Sequence, residues 1–384
     1  MRAPSLPPTL ANITTEGWIA LLSLTGRPLL GLMVVLAVVV PVVAVVVLSR
    51  RPPAAAEAGA GVTGRVVRVA GRIGLVLLSQ LLAMSALFLA VNNQYGFYTS
   101  WADLTGQQAQ SAQIQTNGLV KPGSGAGSVQ VLPVPGAAHR SADALVWLPP
   151  QYREPSYANT RFPVVMFLPG QPSTPQAVFQ HYDFATIANR EIKAGRIKPF
   201  VAVFPPLMTD PPRDTECTNV RSGPQAESWL AVDVPAALTA HYRVEKPGPR
   251  WSVMGWSTGG FCAAKLLLRH PHQFAAAVSF GGYYDPLTDH TTGNLFGGSA
   301  KLRNENSPRW LYTHNRGLAG GRLLMVTGKQ DSFAWKSTQQ MLAISRGDKN
   351  VAVLPFADGG HNYRNYRSYL SPSLQWLAAA GAAG

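Results

Sequence analysis

One stretch of this 384-residue sequence carries the residue types of covalent catalysis: Gly255-Trp256-Ser257-Thr258-Gly259-Gly260. It follows the apolar run Trp251-Ser252-Val253-Met254 and leads into an apolar segment of helical character. In G-x-S-x-G between a strand and a helix, the serine occupies a strained turn that lifts its hydroxyl clear of the sheet. Glycines on both sides let strand and helix approach without a clash. The new helix brings its positive N-terminal end to a developing oxyanion. The five-residue pattern alone is a common Gly/Ser turn. Its context is what marks Ser257 as a candidate nucleophile for attack on a carbonyl.

Such a serine needs an acid and then a histidine downstream, in that order. His270 and His272 flank Pro271 at the far end of the segment after Ser257, where a surface role is expected. His290 and His314 fall in an irregular stretch. His361 stands in Asp358-Gly359-Gly360-His361-Asn362-Tyr363, a Gly-rich turn after the last apolar run, and is the candidate general base. Asp331, in Thr327-Gly328-Lys329-Gln330-Asp331, precedes it by one helix and one strand and is the candidate acid. Capping the following helix is an alternative role for Asp331 and is compatible with catalysis. Asp285, after an earlier strand, is the runner-up, and Asp358 is too close in sequence to brace His361 easily. For the oxyanion, the backbone N–H of Thr258 is one expected donor, and the second should come from the turn Leu168-Pro169-Gly170-Gln171-Pro172. Pro169 and Pro172 have no N–H, which leaves Gln171 as the best donor after Gly170.

The elements that must hold these residues alternate. Strands are expected at Ser128–Val134, Ala144–Leu148, Phe162–Leu168, Pro199–Phe204, Arg250–Gly255, Phe274–Phe280, Arg322–Thr327 and Asn350–Pro355. Helices are expected at Pro175–Ala194, Gly223–Tyr242, Phe261–Arg269, Ser332–Ser345 and Tyr363–Ala380. Continuous apolar strands alternating with helices argue for an open, mostly parallel sheet covered on both faces. Ligands in such sheets bind beyond the carboxyl ends of the strands.

From about Ser128 to Ala380 the chain resembles the putative-esterase (esterase D-like) branch of the α/β-hydrolases, which includes S-formylglutathione hydrolases, feruloyl esterase modules and the mycolyltransferases. The resemblance rests on the Phe-Leu-Pro-Gly turn, the Gly-Trp-Ser-Thr-Gly-Gly elbow, the Gly-Lys-Gln-Asp turn and the Gly-Gly-His turn, in that order. It implies an α/β-hydrolase fold, with Ser257 as nucleophile, His361 as base and Asp331 as orienting acid. Esterase or acyltransferase activity would follow, with ester hydrolysis expected ahead of mycolyl transfer. Mycolate specificity does not carry over, because no residues here can be assigned to a long acyl tunnel.

The first third of the chain has a different character. Leu29–Leu48 and Ile73–Val91 carry no formal charge. At 1.5 Å per residue each is about 30 Å long as a helix, enough to cross a bilayer core. Between them, Ser49–Arg72 holds five arginines and one glutamate. Basic residues in short loops stay in the cytoplasm, so both flanks are expected outside. The expected organisation is a membrane anchor at residues 1–92, an extracytoplasmic linker at 93–127 and a catalytic domain at 128–384. A bilayer and an ester of an envelope lipid or glycolipid are the expected partners.

The formal net charge of +14 invites a test for nucleic-acid binding. No basic run with interleaved aromatics and no zinc spacing occurs, so nucleic acid is not expected. No metal or cofactor is expected either. An outside location permits a disulfide between Cys217 and Cys262, with two buried thiols as the alternative. Gly281–Gly321 has little apolar periodicity and reads equally as a packed excursion or as a lid. A non-catalytic envelope or matrix-binding protein on the same fold is the rival of a different class.

Overall fold

The computed structural model describes residues 22, 24, 26–49, 62–95, 101–104, 116, 118–120, 125–136, 142–208, 213–357 and 359–381. The chain forms two compact units, Met1–Trp101 and Ala102–Gly384.

In the first unit, helix α1 spans Arg27–Ser49 and α2 spans Val62–Tyr95. Both are long and apolar enough to cross a membrane by length and composition. Valines and leucines stand exposed along them, including Val35, Val38, Val45, Leu81 and Leu87. α1 runs through Pro41 without a break. α2 starts well before its apolar stretch, which shortens the expected loop: Arg65, Arg68 and Arg72 are helical. Arginine is a good helix former.

The second unit is built on one eight-stranded sheet of order β1-β2-β4-β3-β5-β6-β7-β8. The strands are β1 Ser128–Val134, β2 Ala142–Leu148, β3 Val164–Leu168, β4 Val201–Phe204, β5 Gly248–Trp256, β6 Phe274–Phe280, β7 Arg322–Gly328 and β8 Val351–Phe356. β1–β2 and β2–β4 pair antiparallel, and every other pair is parallel. The central strands read as unbroken apolar runs because both faces are covered. In β3, Val164, Met166 and Leu168 enter one core while Val165 and Phe167 enter the other.

The helices differ from expectation in their breaks. Pro175–Ala194 is two helices, α3 Pro175–His181 and α4 Phe184–Lys193, separated at Asp183 with φ 49°. Gly223–Tyr242 is resolved by a π-helical stretch, Trp229–Asp233, that delivers Pro235 into the first turn of α5 Val234–His241. A proline is tolerated there because the first N–H groups have no helical partner. α6 spans Thr258–Arg269. Gly281–Gly321 holds two short helices, α7 Ala300–Glu305 and α8 Pro308–His314, each with a serine side chain accepting from the first turn. Tyr283, Tyr284 and Tyr312 are buried, so this segment is packed. α9 spans Ser332–Ile344, and the last expected helix is split into α10 Tyr363–Arg367 and α11 Leu370–Ala379.

The linker reading also ends early. Trp147 Nε1 donates to the carbonyl of Ala126 at 2.9 Å, and Asn189 donates to that of Gly125 at 2.8 Å. Gly125–Gly127 therefore belong to the sheet unit. Most of residues 93–124 lie outside the described residues.

Candidate active site

Ser257 sits between β5 and α6 with φ 57° and ψ −117°. A side chain other than glycine rarely adopts that conformation, and holding it costs of order 1–3 kcal/mol. The surrounding backbone fixes it. Ser257 N donates to the Phe280 carbonyl at 2.8 Å, and Phe261 N donates to the Ser257 carbonyl at 3.1 Å. The flanking glycines are required by space. A Cβ on Gly255 would stand 2.1 Å from the Gly259 carbonyl oxygen, and one on Gly259 would stand 2.3 Å from that of Leu168.

His361 comes to this serine from the far end of the sheet. Its Nε2 lies 2.9 Å from Ser257 Oγ, and its Nδ1 lies 2.5 Å from Asp331 Oδ2. Burial works to raise the Asp331 carboxyl. The hydrogen bond and charge of His361, with the Tyr366 hydroxyl and the Ala334 N–H, outweigh it and hold that carboxyl below its ordinary value. An ionised carboxylate only accepts, so the proton of His361 belongs on Nδ1 and the Nε2 lone pair faces the serine hydroxyl. That arrangement can take a proton from Ser257. Asp331 also caps α9 through the Ala334 N–H, so both roles considered for it coexist.

The runner-up acid is engaged elsewhere: Asp285 pairs with Arg309 at 2.6 Å and accepts from Ser307. Asp358 lies outside the described residues. His270 contacts Glu227 at 3.0 Å and is partly exposed. His314 stacks on Trp310.

The Gly170 turn lies against the nucleophile. A Cβ on Gly170 would stand 2.9 Å from Trp256 Cδ1 and 3.0 Å from Ser257 Cβ. Gln171 follows it directly, and Thr258 opens α6. Cys217 and Cys262 form a disulfide, with Cα atoms 6.0 Å apart. Among the described residues no group of acidic, histidine or cysteine side chains is arranged to hold a metal ion.

Two side chains at the site were not foreseen. The Tyr366 hydroxyl donates to Asp331 Oδ2 at 2.7 Å and accepts from Gly328 N at 3.2 Å. The Trp256 indole stacks on the His361 ring, with centroids 4.3 Å apart. Trp256 is the variable residue of the G-x-S-x-G pattern, and Tyr366 follows the Gly-Gly-His turn at one-turn spacing from Tyr363. Neither spacing distinguishes a brace from a core aromatic.

A family described as "Putative esterase" matches residues 137–378. The chain belongs to the putative esterase family. The match spans all three residues of the Ser257–His361–Asp331 chain. An uncharacterised protein of Corynebacterium glutamicum is 24% identical over 253 residues, covering 62% of this chain and 57% of that protein. This chain therefore spans little more than half the length of that relative. Among solved structures, a ferulic acid esterase superposes with a TM-score of 0.58 at 16% identity, covering 67% of this chain and 100% of that one. An S-formylglutathione hydrolase from Agrobacterium tumefaciens gives 0.56 at 19%, covering 69% and 99%. The fluorophosphonate-binding serine hydrolase F of Staphylococcus aureus gives 0.55 at 17%, covering 66% and 98%. These likenesses show that the chain has the α/β-hydrolase fold.

Proposed function

We propose that this esterase is a membrane-tethered, extracytoplasmic serine hydrolase that cleaves or transfers the acyl group of an envelope lipid or glycolipid ester. The observation that carries the catalytic part is the continuous hydrogen-bonded chain from Asp331 through His361 to Ser257, ending at a serine with φ 57°. In this reading His361 takes the Ser257 proton as the hydroxyl attacks the ester carbonyl. Asp331 holds the required tautomer and stabilises the imidazolium. The N–H groups of Thr258 and Gln171 receive the oxyanion of the tetrahedral intermediate. His361 then protonates the leaving alcohol, and water or an acceptor alcohol attacks the acyl-enzyme.

The location rests on α1 and α2, which are long and apolar enough to cross a membrane, and on the arginines between them and at the start of α2. With those arginines inside, the sheet unit lies outside. The Cys217–Cys262 disulfide agrees with an oxidising compartment. A catalytic domain tethered at a bilayer surface meets esters embedded in or bordering that bilayer, which favours a lipid or glycolipid substrate. Lipid profiling of a deletion strain, complemented with either the native chain or Ser257→Ala, tests the proposal. An ester lipid should accumulate in the deletion strain and in the Ser257→Ala complement alone. An unchanged profile in the deletion strain would remove the envelope substrate from the account.

A further inference from the structure

A second group of ionisable side chains is buried against the first turns of α6, outside the Ser257–His361–Asp331 chain. Asp214, Glu216, Lys265 and Tyr283 are all buried. The Tyr283 hydroxyl is hydrogen-bonded to Glu216 Oε1 and lies 3.3 Å from Thr258 Oγ1. Glu216 Oε2 accepts from the Leu287 N–H at 3.3 Å. A carboxyl group is thus linked, through one phenol, to the residue that follows the nucleophile.

The segment carrying this carboxyl is held with unusual force. Glu216 and Cys217 have φ of 49° and 47°, the left-handed region that such residues rarely adopt. Three ties keep them there. The Cys217–Cys262 disulfide anchors the segment to α6. Lys265 Nζ, also on α6, donates to the carbonyls of Glu216 at 2.9 Å and Cys217 at 2.8 Å. Asp214 Oδ1 accepts from Glu216 N at 2.8 Å. Backbone held in a strained conformation by this many constraints is a feature of functional sites.

We propose that Glu216 is a positioning residue for acyl transfer, acting through Tyr283 on Thr258, and this rests on Ser257 being the nucleophile and the Thr258 N–H an oxyanion donor. Tyr283 has one phenolic proton for two partners. With Glu216 protonated, the carboxyl donates to Tyr283 and Tyr283 donates to Thr258 Oγ1. With Glu216 ionised, Tyr283 donates to the carboxylate and Thr258 must turn its own hydroxyl proton towards Tyr283. Ionisation thus acts through the phenol on Thr258, two hydrogen bonds from Glu216, and sets its hydroxyl dipole against the negative charge that develops at its N–H, which opposes the transition state. The protonated form is therefore the active one.

The surroundings set where that change falls. Burial, then the charge of Asp214, pushes Glu216 up to about 8, with Tyr283, Lys265 and the Leu287 N–H acting the other way. Asp289 acts on Asp214, and Glu227 acts to raise Lys265. Lys265 is itself brought down to about 8 by burial. An alkaline loss of activity thus has two candidate sources, which substitution separates.

The test measures kcat and KM of the full chain for a p-nitrophenyl ester from pH 6 to pH 10. It compares the native chain with Glu216→Gln and Tyr283→Phe, each checked for its melting temperature and for Ser257 labelling by a fluorophosphonate. The native kcat should fall about tenfold as pH rises through 8, a fraction of what loss of a whole oxyanion donor costs. Glu216→Gln keeps both hydrogen-bonding atoms but cannot ionise, so its kcat at pH 7 should stay near the native value and the alkaline fall should vanish. Tyr283→Phe should lower kcat with KM unchanged and should also lose the alkaline fall. An alkaline fall that persists in both variants would assign it to Lys265 or another group and overturn the proposal. If Glu216→Gln does not fold, Tyr283→Phe decides alone, since its ring retains the stack on Phe261. Failure of the native chain to label at Ser257 would instead overturn the nucleophile reading on which the proposal rests.

Discussion

Ser257 and His361 are 104 residues apart in sequence, yet His361 Nε2 meets Ser257 Oγ at 2.9 Å. Ser257 follows β5 and His361 follows β8, with β6 and β7 between them in the sheet. Asp331 follows β7 and meets His361 on the way. All three strands run parallel, so their carboxyl ends share one edge. Gly281 makes room at the crossing. It has φ 56°, and a Cβ there would stand 3.1 Å from His361 Cε1 and 3.0 Å from the Tyr366 ring.

The close approach of β5, α6 and the Gly170 turn predicts a sharp contrast among glycines. Gly259→Ala should lower stability by about 1–3 kcal/mol or more and abolish ester turnover, because the added carbon meets two backbone carbonyls. Gly360→Ala, with nothing within 4 Å of its added carbon, should leave the melting temperature near the native value. Melting curves of the two variants check this, and equal losses would contradict the packing described.

The disulfide should be present in protein isolated from the envelope, where non-reducing mass spectrometry should find one Cys217–Cys262 link. Cys262→Ser should cost about 2–4 kcal/mol in urea unfolding. Two free thiols in the native protein would remove the covalent tie between the Glu216 segment and α6.

Buried Glu227 predicts acid sensitivity. Burial acts to raise its carboxyl, but His270, Lys265 and Arg269 outweigh this and hold it at about 2, against 4.5 for an ordinary glutamate. A depressed carboxyl binds its proton more weakly in the folded state. Its contribution to stability is present above about 4.5 and is lost as pH falls towards about 2. Urea midpoints measured from pH 6 to pH 2 should fall through this window. In Glu227→Gln the midpoint at pH 6 should be lower and the fall shallower. An unchanged pH dependence in the variant would show that other carboxyls govern acid unfolding.

Topology is testable with fusions. A reporter placed after Gly127 should be active only as an exported protein, and one placed within residues 50–61 should behave as cytoplasmic. Residues 50–61 are the better site because α2 begins at Val62. The reverse pattern would overturn the outside location of the sheet unit.

Much of this architecture was legible in the chain. The strands stood out because central strands of a parallel sheet are apolar on both faces, so β3, β6 and β7 carry the unbroken apolar runs Val164–Leu168, Phe274–Val278 and Leu323–Val326. The triad candidates followed from their order and from Gly-rich turns just after those runs. Helix breaks were not legible. The one local mark at Tyr182-Asp183 is the aspartate, a residue type suited to an N-cap and to the left-handed region. Its pairing with Arg367, at 2.8 Å across 184 positions, leaves no local pattern. The braces were hidden for the same reason. Tyr366 on Asp331 and Glu216 on Tyr283 are pairings across 35 and 67 positions, and each residue alone is an ordinary tyrosine or glutamate.

The central claim is that Ser257, His361 and Asp331 act as one catalytic unit, and turnover of a short p-nitrophenyl ester by single and double variants tests it most directly. Ser257→Ala and His361→Ala should each lower kcat by several orders of magnitude, about 10⁴–10⁶, and the double variant should be little worse than either alone. Asp331→Asn should also cost heavily, because an amide cannot hold the imidazole tautomer, whereas Asp285→Asn should retain turnover. Full activity in Ser257→Ala, or loss in Asp285→Asn with Asp331→Asn near native, would contradict the account.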